Sequence, residues 1–182
     1  MEKEKLDKKP YIYFSTKKLV FVALFTAINV ILSSSVFCIP TPGNGHLYLN
    51  DIVICLSALV FDPLSAVIIG GFGAFLGDLF FYPSAMFVSL IVRSVQAFII
   101  SAITYRQKGI ARFWISFLAV MIGVFIMVGG YFLGKAFFYG TLADAIIKIP
   151  FSFIQAGTGV IVSLLLLYKS PLKTYIENFP KK

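Results

Sequence analysis

Residues 64–82 read Leu64-Ser65-Ala66-Val67-Ile68-Ile69-Gly70-Gly71-Phe72-Gly73-Ala74-Phe75-Leu76-Gly77-Asp78-Leu79-Phe80-Phe81-Tyr82. A single ionisable carboxyl, Asp78, interrupts a run of apolar, small and aromatic side chains. A helix of that length rises roughly 30 Å, the thickness of a bilayer's hydrocarbon core. The stretch therefore reads as a membrane span, entered through the tight turn Asp62-Pro63 and left at Pro83. The whole composition agrees. Of 182 residues, 59% are hydrophobic and 13% charged, with 20 Phe and 9 Tyr. That is about half the charge of a soluble domain. A soluble fold of about 150 residues still exposes roughly 30% of its unfolded surface, so a soluble enzyme is excluded. A disordered chain and a disulfide scaffold are excluded as well.

Working outward, the chain divides into six spans, an all-α membrane bundle. Span one is Leu19 to Cys38 and span two Asp51 to Phe61, joined by the turn-rich loop Pro40 to Asn50. Span two is short for a crossing, so part of that loop is expected at membrane depth. After span three come Ala85 to Tyr105, Phe113 to Phe138 and Ala145 to Tyr168, with Tyr139, Gly140 and Asp144 in the last short loop. Residues 1–18 and 169–182 are basic flanks of the membrane domain, 19–168. The net charge of +8 is orientation charge rather than a nucleic-acid footprint. Six lysines precede span one, Arg106, Lys108 and Arg112 fill one loop, and Lys169, Lys173, Lys181 and Lys182 close the chain. With six spans these groups share one side, and the positive-inside rule makes both termini cytoplasmic. The loops holding His46, Pro83 and Asp144 then face outside.

Small residues at spacings of three and four let helix backbones approach. Gly70-Gly71-x-Gly73-Ala74-x-x-Gly77 and Gly157-Thr158-Gly159 read as close packing of that kind. Gly129, four residues, Gly134 and Lys135 imitate a phosphate loop, but Ala136 stands where Ser or Thr is needed and no strand precedes it. The chain has no ATP site of that type. Ala23 and Ala27 share one face of span one, suited to association within the bundle or between subunits.

Ionisable groups inside spans carry the functional signal, because each costs about 2.5–3.5 kcal/mol at the helix centre. Arg93 lies about 12 Å into span four, near the midplane. It either pairs with Asp78 or Asp51 or meets a ligand. Gln96 shares its face. Asp51 and Asp78 read as ligand contacts or as helix-end groups. Tyr131 with Lys135, and Lys148 with Ser152, form pairs four residues apart, and the lysines either snorkel to the interface or face the ligand. Asn50 and Gln155 complete a polar set in the outer half, beneath a loop carrying His46. A lone histidine is no metal site, and Cys38 and Cys55 have no metal spacing. No cofactor is expected. The rival reading is a stand-alone membrane enzyme or channel. A channel needs polar residues along a full path, and an enzyme needs an acid–base pair or an activated nucleophile. The inner halves of the spans are apolar, and no such constellation appears.

Several stretches together resemble a known family: Val22-Ala23-Leu24-Phe25-Thr26-Ala27-Ile28-Asn29, Gly45 to Tyr48, Leu49-Asn50-Asp51-Ile52, Leu59-Val60-Phe61-Asp62-Pro63-Leu64-Ser65-Ala66 and the glycine run ending Gly77-Asp78-Leu79. They are similar to the substrate-binding S component of energy-coupling factor (ECF) vitamin transporters, in the branch with riboflavin, hydroxymethylpyrimidine and vitamin B6 types. The likeness extends from about residue 17 to 169. It implies a transport subunit that binds a small vitamin in an outward-facing pocket under the first loop. It also implies capture by a membrane coupling protein (T component) and two ATPases, with Ala23 and Ala27 as the docking face. The expected ligand contacts are His46, Asn50, Asp51, Asp78, Arg93, Gln96, Tyr131, Lys135 and Gln155, and the preferred ligand is hydroxymethylpyrimidine or a B6 vitamer, ahead of riboflavin and pantothenate.

Overall fold

A computed structural model describes residues 16–33, 39–41, 45–107 and 111–169. Helix α1 spans Thr16–Leu32 and a short antiparallel hairpin follows, β1 Ile39–Thr41 with β2 Gly45–Leu47, pairing Pro40 with His46. Then come α2 (Asp51–Val60), α3 (Pro63–Val67) and α4 (Gly73–Phe81), with a widened π turn, Ile68–Phe72, joining the last two. A 3-10 turn at Pro83–Ala85 leads into α5 (Met86–Tyr105). Helix α6 (Phe113–Gly134) ends in a second π turn, Lys135–Tyr139, and α7 (Leu142–Lys169) completes the described chain.

Among the described residues, four continuous helices are long and apolar enough to cross a membrane: Pro63–Phe81, Pro83–Tyr105, Phe113–Tyr139 and Leu142–Lys169. Their limits fall within three residues of spans three to six. Helix α2 has ten residues, about 15 Å, and so covers half a bilayer. Of span one, Thr16–Leu32 is seen as helix, while residues 34–38, including Cys38, lie outside the described set. Two expectations need correction. The Pro40–Asn50 loop contains strands, since Ile39 to Thr41 and Gly45 to Leu47 exchange backbone hydrogen bonds in a chain expected to be wholly helical. Asp144 belongs to the first turn of α7 rather than to a loop. Its backbone N–H donates to Thr141 Oγ1 at 3.2 Å, and Thr141 Oγ1 donates to the Asp144 carboxylate at 2.8 Å, which fixes the helix start.

Turn chemistry explains the other boundary. Asp62 is the N-cap of α3 and Pro63 its first residue. The Asp62 carboxylate accepts from Ser65 Oγ at 2.8 Å and meets Lys18 Nζ at 2.6 Å. Burial pushes that carboxyl's pKa up, but the Lys18 and Ser65 contacts outweigh it and hold the group below the ordinary carboxylate range. This ties the start of α1 to the α2–α3 turn.

Helix α2 sits centrally. Val53 to Leu59 are all buried, so the helix is covered all round, as its largely apolar sequence requires. Ile54, Cys55 and Ala58 form one core with Ala97 and Ile100 of α5, Ala119 and Val120 of α6, and Val160 and Leu164 of α7. Helix α1 is peripheral, burying only Val22 and Asn29 within its span. It docks because glycines make room. A Cβ on Gly73 would lie 2.6 Å from Asn29 Nδ2, and one on Gly77 would collide with Ser33. The gap lets Asn29 Nδ2 donate to the Ile69 carbonyl at 2.6 Å, in the first π turn. Gly70 and Gly71 face α5 instead, against Ala97 and Ser94. In the Gly157-Thr158-Gly159 pattern only Gly159 is a close contact, with Asp51; Gly157 faces open space, so close packing accounts for half of that motif.

Candidate functional site

Arg93 is 1% exposed, two turns into α5. Its guanidinium forms an ion pair with Asp51, whose side chain is equally buried at the first residue of α2. Nη1 and Nη2 both reach the carboxylate, Nη2 at 3.1 Å from Oδ2. Nη1 also donates to Gln96 Oε1 at 3.0 Å and Nε to Tyr131 Oη at 3.2 Å. Of the two partners sequence left open, the structure selects Asp51. Asp78 joins indirectly, accepting from Ser89 Oγ, which in turn lies 2.7 Å from Tyr131 Oη. On the other side Gln155 Nε2 donates to Asp51 Oδ2 at 2.5 Å, while Gln155 Oε1 accepts from the Tyr48 backbone N–H at 3.2 Å. One polar chain thus runs from α4 through α5, α6, α2 and α7 to the base of the hairpin. A buried pair of this kind needs its remaining donors and acceptors satisfied to offset desolvation, and the surrounding amides and hydroxyls provide that.

Asn50 stands apart. Its Nδ2 donates to Ser33 Oγ at 2.8 Å, so this side chain points to α1 and away from Arg93. His46 lies on β2, its ring 4.9 Å from Tyr82 and 6.1 Å from Tyr48. Burial, then the charges of Lys148 and Lys135, keep the imidazole's pKa below its ordinary value, so the ring is neutral at pH 7. His46 Nδ1, Gln96 Nε2 and Tyr139 Oη are buried atoms without a hydrogen-bond partner among the described residues. Such groups are available to a ligand.

Beside the ion pair lies a narrow cleft. Its walls are two helical stripes of matching spacing: Val128, Tyr131, Phe132 and Lys135 from α6 and its π turn, and Ala145, Lys148, Ile149 and Ser152 from α7. Each stripe follows the three-and-four rhythm that puts residues on one helix face. Tyr131 links cleft to ion pair. Arg93 Cζ lies 5.1 Å and Lys148 Nζ 5.4 Å from its ring centroid, so two cations share one aromatic surface. The structure thus gathers Asp51, Asp78, Arg93, Gln96, Tyr131 and Gln155, sets Lys135 on the adjoining cleft and His46 above. Sequence reading omitted Ser89 from the set, although it lies four residues before Arg93 and on its face. Lys148 and Ser152 were seen as a pair but not assigned to the ligand. Ala23 and Ala27 are on the exposed face of α1.

The family model described as ECF-type riboflavin transporter, S component, matches residues 13–173. A protein of Lactococcus lactis subsp. cremoris named thiamine precursor transporter HmpT is 33% identical over 159 residues, 86% of this chain and 87% of its own length. An uncharacterised Pyrococcus woesei protein is 30% identical over 125 residues, 68% of this chain and 82% of its own. A solved structure described as the S component of a bacterial ECF transporter superposes with a TM-score of 0.70 at 20% identity, covering 89% of this chain and 98% of that one.

Proposed function

The chain belongs to the S-component family of ECF-type transporters, and from that premise we propose that its ligand is a small single-ring heteroaromatic vitamin precursor, hydroxymethylpyrimidine first and a B6 vitamer second. It is a multi-pass membrane protein and a transport subunit, not an enzyme. The observation that carries the ligand assignment is the lining of the cleft. A flat ring has Tyr131 and Phe132 to pack on, and Lys148, Lys135 and Ser152 as donors to ring nitrogens or hydroxyl oxygens. The similarity to a thiamine precursor transporter supports the same choice.

The ligand contacts in this reading are His46, Asp78, Gln96, Tyr131, Lys135 and Gln155, with Asp51 and Arg93 shaping the floor. Asn50 holds the end of α1 through Ser33. The arrangement in the membrane is six spans with cytoplasmic termini and a domain covering 19–168, the cleft opening outward. Partners are a membrane coupling protein and two ATPases, docking on the Ala23–Ala27 face. The test is mass spectrometry of the small molecule that co-purifies with the chain, followed by titration with hydroxymethylpyrimidine, pyridoxine, riboflavin and pantothenate. Tight binding of riboflavin with no response to hydroxymethylpyrimidine defeats the single-ring assignment.

A further inference from the structure

We propose that Asn50 is a positioning residue through which the seating of α1 sets ligand affinity: Asn29 and Ser33 of α1 fix Asn50, and Asn50 fixes its chain neighbour Asp51 in the floor of the site. This rests on the ligand reading above and adds a regulator to that site, the helix that carries the docking face. Asn50 stands at the N-cap of α2, where an asparagine side chain ordinarily accepts from the N–H groups of the first turn. Here its backbone is already helical (φ −65°, ψ −19°) and the side chain makes no cap bond. The carbonyl holds the helix instead, accepting from the Val53 and Ile54 N–H groups at 3.0 Å. The side-chain amide turns outward and donates to Ser33 Oγ at 2.8 Å, and Ser33 Oγ donates to the Asn29 carbonyl at 2.9 Å. One buried residue therefore belongs to α2 through its backbone and to α1 through its side chain.

The next residue closes the relay. Asp51 pairs with Arg93, which donates to Tyr131 in the cleft wall, and accepts from Gln155, which holds the Tyr48 N–H. A Cβ on Gly159 would lie 2.7 Å from the Asp51 Cβ, so the first residue of α2 is packed on its far side as well. A shift passed on by Asn50 therefore moves the carboxylate against its partners, since a close-packed interior transmits strain. At the other end, α1 is seated by few groups. Within its span only Val22 and Asn29 are buried, while Leu19, Val20, Leu24 and Ile31 are more than half exposed. Asn29 Nδ2 donates to the carbonyls of Ile69 at 2.6 Å and Gly70 at 3.4 Å, both in the first π turn, and such widened turns are frequent at functional sites. Asn29 Oδ1 and Asn50 Oδ1 are buried without a hydrogen-bond partner among the described residues. Two unanswered acceptors make the seated state less stable than a fully paired seam. This seam is where α1 shifts at least cost, and Asn50 is the side chain that carries the shift to α2.

The test is a double-mutant cycle on affinity rather than on stability, with the full chain in an uncharged detergent titrated with hydroxymethylpyrimidine. Gly73→Ala unseats α1 at Asn29 without touching the cleft. It is expected to weaken binding roughly 2- to 30-fold, the range for substitutions along a coupling network. Asn50→Ala cuts the relay, and Ser33→Ala cuts it from the other side should the first variant fold poorly. In either background Gly73→Ala should leave affinity unchanged. A merely structural role for Asn50 lowers stability but leaves the two effects on affinity additive. Unchanged affinity in Gly73→Ala alone, or the same loss with and without the relay, overturns the proposal. If wild type does not bind hydroxymethylpyrimidine, the ligand reading fails, and the relay is judged without ligand by exchange of the Tyr48 amide proton that Gln155 holds. Gly73→Ala should lower the protection of that amide in the otherwise wild-type chain and leave it unchanged in the Asn50→Ala background. Equal protection throughout, or equal losses in both backgrounds, overturns the relay.

Discussion

Removing either partner of the Arg93–Asp51 pair should destabilise the fold, and removing both should cost less than removing one. Both side chains are 1% exposed. With Arg93→Met, Asp51 keeps only the 2.5 Å bond from Gln155, and Gln96 Oε1 and Tyr131 Oη lose their donors. Breaking one side of a buried pair costs about 3–5 kcal/mol. The two single variants should nevertheless differ. A stranded carboxylate escapes part of its cost by taking up a proton, whereas a guanidinium stays charged. Asp51→Leu is therefore expected near about 5 kcal/mol and Arg93→Met near about 3 kcal/mol. The double variant, with apolar groups in place of both charges, should fall below either single change, because a buried pair is often no more stable than its apolar replacement.

The assay is a double-mutant cycle on reversible unfolding in mixed micelles, with hydroxymethylpyrimidine affinity measured on each folded variant. Near-zero coupling, the two costs simply adding, would refute the claim that this pair anchors the start of α2 to α5. A second result would refute it differently: unchanged unfolding of Arg93→Met together with a 10- to 150-fold loss of affinity, the range for a charged hydrogen bond, would make Arg93 a ligand contact with no structural task.

Other outcomes follow from single contacts. Gly73→Ala should loosen α1 by about 1–3 kcal/mol, because the new Cβ lies 2.6 Å from Asn29 Nδ2, while Gly157→Ala, facing open space, should be neutral or up to about 1 kcal/mol stabilising; the melting temperatures of the two variants check the ordering. Ala23→Leu with Ala27→Leu should leave ligand binding intact and weaken co-purification with the coupling protein, and an unchanged pulldown removes the docking assignment. His46 has a pKa below the ordinary 6.5, so its folded form resists protonation. Stability from this group is complete above about pH 6.5 and falls as pH drops below that value, so the amide protection of residues 45–50, taken relative to intrinsic exchange at each pH, should decrease as pH falls below about 6.5, and His46→Phe should flatten the response.

How much of this was legible in sequence depends on what each feature rests on. Spans three to six rest on apolar length, a property of contiguous residues, and their ends came within three positions. The hairpin rests on two three-residue strands whose pairing is long enough for a few hydrogen bonds only, too short to leave a period in the sequence. The partner of Arg93 was undecidable because it depends on how α2 and α4 are rotated about their axes, and Asp51 and Asp78 are equally plausible until that rotation is known. The glycine run that reveals the third span also fixes this angle. Gly73 and Gly77 admit Asn29 and Ser33 on one side, and Gly70 and Gly71 admit Ala97 and Ser94 on another. Asp78 is seven residues after Gly71 and so on the same face, which directs it to α5 and Ser89. Asp51, with Gly159 pressed against its Cβ, is left as the carboxylate that reaches the guanidinium. A substitution that added bulk at Gly71 would have to turn α4, and the first polar contact to break would be Asp78 with Ser89, which lies one turn of α5 before Arg93 and so supports the ion pair indirectly.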